Sequence, residues 1–136
     1  MRKELIDAIY DKLSGISGIE EVYKYNKGSF DKFPVAVILG SENEKERESG
    51  KTIMKTYKVK VQVLQEVNEA MRGQQGGEDL LINLADTIDN AFDEDDTLGC
   101  VCDDVSVSSS FVWEDRELLM RVLEMTIECK KLKQLS

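Results

Sequence analysis

Three cysteines and an excess of carboxylates are the side chains of this sequence whose types and spacing could do chemistry. Cys100 and Cys102 form a C-x-C pair, and Cys129 follows near the C-terminal end. Thiolates in such a set could hold a metal or form a redox pair. Zinc sites, however, present C-x(2–4)-C pairs and need four ligands. Strand alternation also places Cys129 on the face of Val101, not that of Cys102. All three are therefore read as small buried or half-buried hydrophobes in a reducing compartment.

The acids have a loop's spacing rather than a metal site's. Asp93, Asp95, Asp96, Asp103 and Asp104 lie close in sequence. A calcium loop needs acids at alternate positions, Gly at the sixth and Glu at the twelfth. Here Gly99 comes one place late and Asp104 stands at the twelfth, so the segment reads as a solvated helix-to-strand loop. Asp86 and Asp89 are three apart and read as the polar face of a helix. "GQQGGED", residues 73–79, lacks the spacing and the lysine of a phosphate loop. The chain has no histidine, which removes the commonest general base and metal ligand together. No catalytic residue, metal or cofactor is assigned, and the chain is read as a non-enzyme.

The net charge of -9 disfavours a grip on nucleic-acid phosphates, which needs clustered Lys and Arg. It disfavours an anionic membrane surface equally. No run approaches the roughly 18–20 apolar residues of a membrane span. "MRKELIDAIYDKL" has no uninterrupted apolar centre, so no secretory signal is read there and the expected site of synthesis is the cytoplasm.

The elements that would position these residues follow from periodicity. Leu5, Ile6, Ile9 and Leu13 make an amphipathic helix of about three turns, ended at Gly15 or Gly18. Val22, Tyr23 and Tyr25 suit a short edge strand. Pro34 opens "VAVIL", a continuous apolar run expected to be buried on both faces. Tyr57, Val59, Val61 and Val63 alternate with Thr56, Lys58, Lys60 and Gln62, predicting a half-buried strand over about 52–66. Leu80, Leu81, Leu84, Ala85, Ile88 and Phe92 predict a second helix. Val101, Val105, Val107, Phe111 and Trp113 share one phase, and Leu119, Leu123, Met125, Ile127 and Cys129 another. The two apolar faces coincide if Trp113 pairs with Leu119 or Glu117. A two-residue turn at Asp115–Arg116 would set Val107 against Glu124, so an odd loop or a bulge is expected. The order α-β-β-β-α-β-β gives an α+β domain over residues 1–136. Its antiparallel or mixed sheet has about five strands, with both helices on one face. The other face must meet water or another subunit.

Between two apolar runs lies "SENEKERESG", residues 41–50, with every glutamate at an even position. In an extended chain Glu42, Glu44, Glu46 and Glu48 point one way, and Asn43, Lys45, Arg47 and Ser49 the other. Residues of about 41–51 are expected to form an extended β-hairpin arm or a long loop. An acidic and a basic edge on one strand suit head-to-tail contacts between identical subunits. Trp113, beside the second hairpin's turn, is read either as a partner contact or as packing against the second helix. The candidate interface residues are thus Glu42, Glu44, Lys45, Glu46, Arg47, Glu48 and Trp113.

Taken together, "ELIDAIYDKL…GI", "FPVAVIL", the charged excursion, "KTYKVKVQVL", "LLINLADTIDNAF", "DEDDTLG" and the final hairpin resemble the tail terminator (tail completion) proteins of long-tailed bacteriophages. The resemblance covers nearly the full length and includes no catalytic motif. It implies a small α+β subunit forming a homohexameric ring. That ring caps the tail tube, stops its polymerisation and offers the surface for head–tail joining. The implied partners are other copies of the chain, the major tail tube protein and the head–tail connector protein. The implied location is the tail–neck junction of a virion, with DNA passing through the lumen without specific binding. The alternatives are another neck or connector component, or a small cellular ligand-binding domain or enzyme.

Overall fold

The computed structural model describes residues 2–25, 30, 32–47, 50–66, 76–95, 98, 102–115 and 120–134; for residues 2, 41–47, 76–79, 133 and 134 only the backbone is described. The elements run α1 (Arg2–Ser14), β1 (Glu21–Tyr23), β2 (Val35–Arg47), β3 (Thr52–Glu66), α2 (Gly76–Glu94), β4 (Asp104–Asp115) and β5 (Met120–Gln134). This is the order expected from periodicity. One five-stranded sheet has the order β1-β2-β3-β5-β4. Strand β1 pairs with β2 in parallel and the other neighbours are antiparallel.

Both helices lie on one face of this sheet. Leu5, Ile9 and Leu13 of α1 and Leu81, Leu84, Ile88 and Phe92 of α2 share one core with Ala36, Ile38, Val59, Val61, Val63, Leu123, Met125 and Ile127. Each fully buried side chain of this size contributes roughly 1.5–3 kcal/mol. The stripes match the expected ones, except that Leu80 is half out in solvent. Of the two glycines offered as the end of α1, Gly18 takes the positive φ, +104°. A Cβ there would come within 3.1 Å of the Leu84 side chain.

Strand β3 has the predicted bounds and alternation. Val35, Ala36, Val37 and Ile38 are all buried, as a run closed on both faces requires. Leu39 is the exception: the β2–β3 register shifts between Ile38 and Gly40, and Leu39 turns outward.

The β4–β5 hairpin corrects the expected register. Trp113 pairs with Val122 rather than with Leu119 or Glu117, and Asp115 pairs with Met120. Residues 116–119 between them lie outside the described residues. A bulge does occur, but between Val107 and Ser109, not at the turn. Val105 and Val107 face the helices. Past Ser108 the phase inverts, so Val112 packs on the core while Phe111 and Trp113 face the other way. A period of two resets when one residue is inserted.

The cysteines are corrected too. Cys102 and Cys129 form a disulfide with Cα atoms 6.1 Å apart, so they are not free thiols of a reducing compartment. Cys102 precedes the β4 ladder, so strand alternation does not govern it, and its side chain turns into the core. Cys100 and Val101 lie outside the described residues. A bridge closing a loop of this length stabilises by about 3–4 kcal/mol. Cys102→Ser is expected to lose that much in denaturant unfolding. Alkylation without reductant should label neither Cys102 nor Cys129 even in the denatured chain; labelling of both would mean that the bridge is absent.

Candidate functional site

Three strands run past the helix layer together. Core positions on β3 and β5 stop at Tyr57 and Cys129. Beyond them, Glu42–Arg47 of β2 pair with Lys58–Ile53 of β3, and Thr52–Lys58 pair with Gln134–Glu128 of β5. The charged segment is therefore the outer strand of a three-stranded arm. The sequence pointed to a hairpin arm here; the third strand was not foreseen.

The two faces of the arm differ in charge. On the face away from the helices, Glu42 stands opposite Lys58 and Lys58 opposite Glu128. Glu44 stands opposite Thr56 and Thr56 opposite Lys130. Lys130 Nζ also lies 3.6 Å from Glu128 Oε1. Acids and bases alternate there, which favours pairing across strands. On the helix-side face, Lys45 stands opposite Lys55 and Lys55 opposite Lys131. One row further out, Arg47, Ile53 and Lys133 line up. Of the candidate positions, Glu42, Glu44 and Glu46 thus share one face, and Lys45 and Arg47 share the other. Glu48 lies outside the described residues. Lys55, Lys131 and Lys133 were not among the candidates. Their signal was present, since "KTIMKTYKVK" and "CKKLKQ" carry lysines on the phase that is apolar nearer the core.

Trp113 is separate from this arm. It sits on the sheet face away from the helices, in one row with Glu21, Val35, Leu64 and Val122. The next row holds Tyr23, Val37, Gln62, Glu124 and Phe111, and in it Gln62 Nε2 donates to Glu124 Oε1 at 2.9 Å. Trp113 is 38% and Phe111 54% exposed. Packing against α2 is excluded, because α2 lies on the opposite face. An aromatic edge beside the buried Val35, Val37 and Val122 has the make-up of a contact surface.

The acids gather on the helix layer. Glu4, Asp7, Asp11 and Asp95, with Lys12 and Leu98, line an open groove of about 580 Å³ between α1 and the end of α2. Lys12 Nζ is 3.2 Å from Asp95 Oδ2, and Lys24 Nζ is 2.5 Å from Asp7 Oδ1. The bond from Lys24 holds the Asp7 carboxyl below its ordinary range, and the bond to Asp7 holds the Lys24 ammonium above its own. Asp7 thus favours the fold above its unfolded pKa, and this is lost as pH falls through the lowered folded value. Lys24 favours it below its unfolded pKa, and this is lost as pH rises through the raised value. Neither window falls near neutral pH. A general acid working there would need a carboxyl raised by burial, and the shift at Asp7 has the opposite sign. Asp86 and Asp89 are exposed on α2. Among the described residues no three metal-ligating side chains converge.

Comparison with known proteins gives a likeness of fold. No family model matches the sequence, and no curated protein matches it. Among solved structures, the chain is similar to a chain of the "Virion of native gene transfer agent (GTA) particle". The TM-score is 0.57 at 8% identity, and the match covers 95% of each chain.

Proposed function

We propose that this chain is a structural subunit of a virion and, within it, the tail terminator. Copies of it form a ring on the end of the tail tube, end the tube's polymerisation and present the surface to which the head joins. The observation that carries this reading is the fold likeness to a virion chain across 95% of both lengths. It agrees with the sequence resemblance, which supplies the finer role and the six-membered ring.

The surfaces suit such a part. A head-to-tail interface uses two different patches on each subunit and closes into a ring when the rotation permits. Here β4 is one edge of the sheet, and β2 beyond the three-residue β1 forms the other. The two edges are unlike. The outer half of β2 is densely charged, a composition that resists indiscriminate strand addition, whereas β4 carries Ser108–Ser110 and Phe111. The sheet face bearing Trp113 and Phe111 offers a contact for the tube or connector protein. An excess of acids lets duplex DNA pass the ring without being held.

The test is electron microscopy of particles made without this protein. Tail tubes of uncontrolled length support the terminator role. Tails of normal length that lack heads assign the protein to the connector side of the neck. Unchanged virions overturn both.

A further inference from the structure

We propose that the helix-side face of the arm docks on the acidic helix layer of a neighbouring copy. The inference rests on the reading that copies of this chain contact one another, and it names the two surfaces that meet. The first observation is the register. Lys45, Lys55 and Lys131 stand side by side across β2, β3 and β5, with Arg47 and Lys133 flanking Ile53 in the next row. Like charges directly opposite one another on a sheet are unfavourable. The same strands show that such a row is not forced on them, since their other face sets Glu42 against Lys58 and Lys58 against Glu128. A basic face on one side of a chain of net charge -9 is complementary to an acidic surface on another copy.

The second observation is where the acids are. Glu4, Asp7, Asp11 and Asp95 line the groove between α1 and the end of α2. Lys12, which pairs with Asp95, is the one cation among its described lining residues, while Lys24 pairs with Asp7. Ala8 and Leu98 also line the groove, so it has an apolar part that an apolar side chain such as Ile53 suits. Base-rich arm and acid-rich groove are different patches of one subunit. Their pairing is heterologous, the kind that builds rings rather than isolated pairs. Complementary charge at such a contact fixes register and suppresses wrong partners more than it adds affinity.

Two measurements test this. Lys55→Glu turns both like-charge contacts of the central lysine into opposite-charge ones. The isolated subunit should therefore melt at the same or a higher temperature, while self-association measured by sedimentation at low salt weakens at least about tenfold. Glu4→Lys with Asp11→Lys in the groove should weaken association likewise, and combined with Lys55→Glu they should cost less than the two losses added. A photo-crosslinking residue at position 55 in the full chain, assembled from a mixture of isotope-labelled and unlabelled copies, should link to residues 4–11 or 95 of another copy. If wild type does not self-associate in solution or in particles, this proposal and the ring reading fall together. If wild type associates but the groove reversals leave association unchanged or add in full to the Lys55→Glu loss, or the crosslinks fall elsewhere, the docking is wrong and the ring reading stands. Salt-sensitive binding of duplex DNA by wild type that Lys55→Glu abolishes would overturn the docking in favour of phosphate contacts.

Discussion

A chain in which residues 44–56 are replaced by a two-residue Asn-Gly turn is expected to fold and to stop assembling. The register dictates this choice of ends. Asn43 and Tyr57 stand opposite each other, so a two-residue turn of the type favoured in hairpins can close there. Tyr57 is kept because it is buried in the core. Cutting out only residues 42–49 would leave residues 53–58 without their β2 partners, whereas the longer replacement leaves only residues 130–134 of β5 without their β3 partners. The segment removed includes no member of the helix–sheet core, and its best-packed apolar residues, Ile53 and Met54, are only half-buried. Loss of stability should stay within about 1–2 kcal/mol, the ordinary range for such sites. Loss of self-association should exceed tenfold, or about 1.4 kcal/mol, since the variant lacks Lys45, Arg47 and Lys55 at once. Circular dichroism and thermal melting read the first quantity; sedimentation and electron microscopy of rings read the second. An unfolded variant would make the arm part of the domain's core, and a variant that assembles normally would remove it from the interface.

Why was the arm's outer strand legible when its third strand was not? Glutamates at every second position can be seen without knowing the fold, because a strand's period of two is local. Residues 129–134, with lysines on both phases, do not alternate, and Lys131 gains meaning only when the register sets it beside Lys55 and Lys45. That pairing links residues far apart in sequence. The same limit explains the β4 phase. Within "SVSSSF" the run Ser108–Ser110 offers no apolar residue to mark where the ladder gains one, so both phases fit until β5 supplies partners. Trp113, expected in phase with Val105 and Val107, therefore stands on the opposite face. Cys102 escaped for a related reason: strand alternation was extended two residues past the start of β4. The stripes of α1 and α2 were legible because each needs only its own helical period, and the composition of β3 fixed its inward face without reference to any neighbour.

Phe92→Ala is expected to be the most damaging single truncation, costing about 3–5 kcal/mol. Phe92 heads the fully buried side chains by volume and lies in the last turns of α2. That helix is held to the sheet by one stripe, Leu81, Leu84, Ile88 and Phe92. Beyond Phe92 the chain turns through Asp95, whose amide bonds back to the Phe92 carbonyl, and then Leu98, whose amide bonds to the Asp95 carbonyl. Removing the ring leaves a void that this fixed corner cannot readily collapse into, so the cavity cost adds to the lost burial. The apparent melting temperature should fall by roughly 10–20 °C for a chain of this size. Ile82→Ala on the same helix is the control: Ile82 is 44% exposed, and its truncation should stay within about 0.5 kcal/mol. The comparison also bears on the proposed docking. Asp95 follows directly on α2 and bonds to the Phe92 carbonyl, so Phe92→Ala should weaken self-association below its melting point, whereas Ile82→Ala should leave it unchanged. Equal stability losses at the two positions would mean that α2 does not pack by the face described.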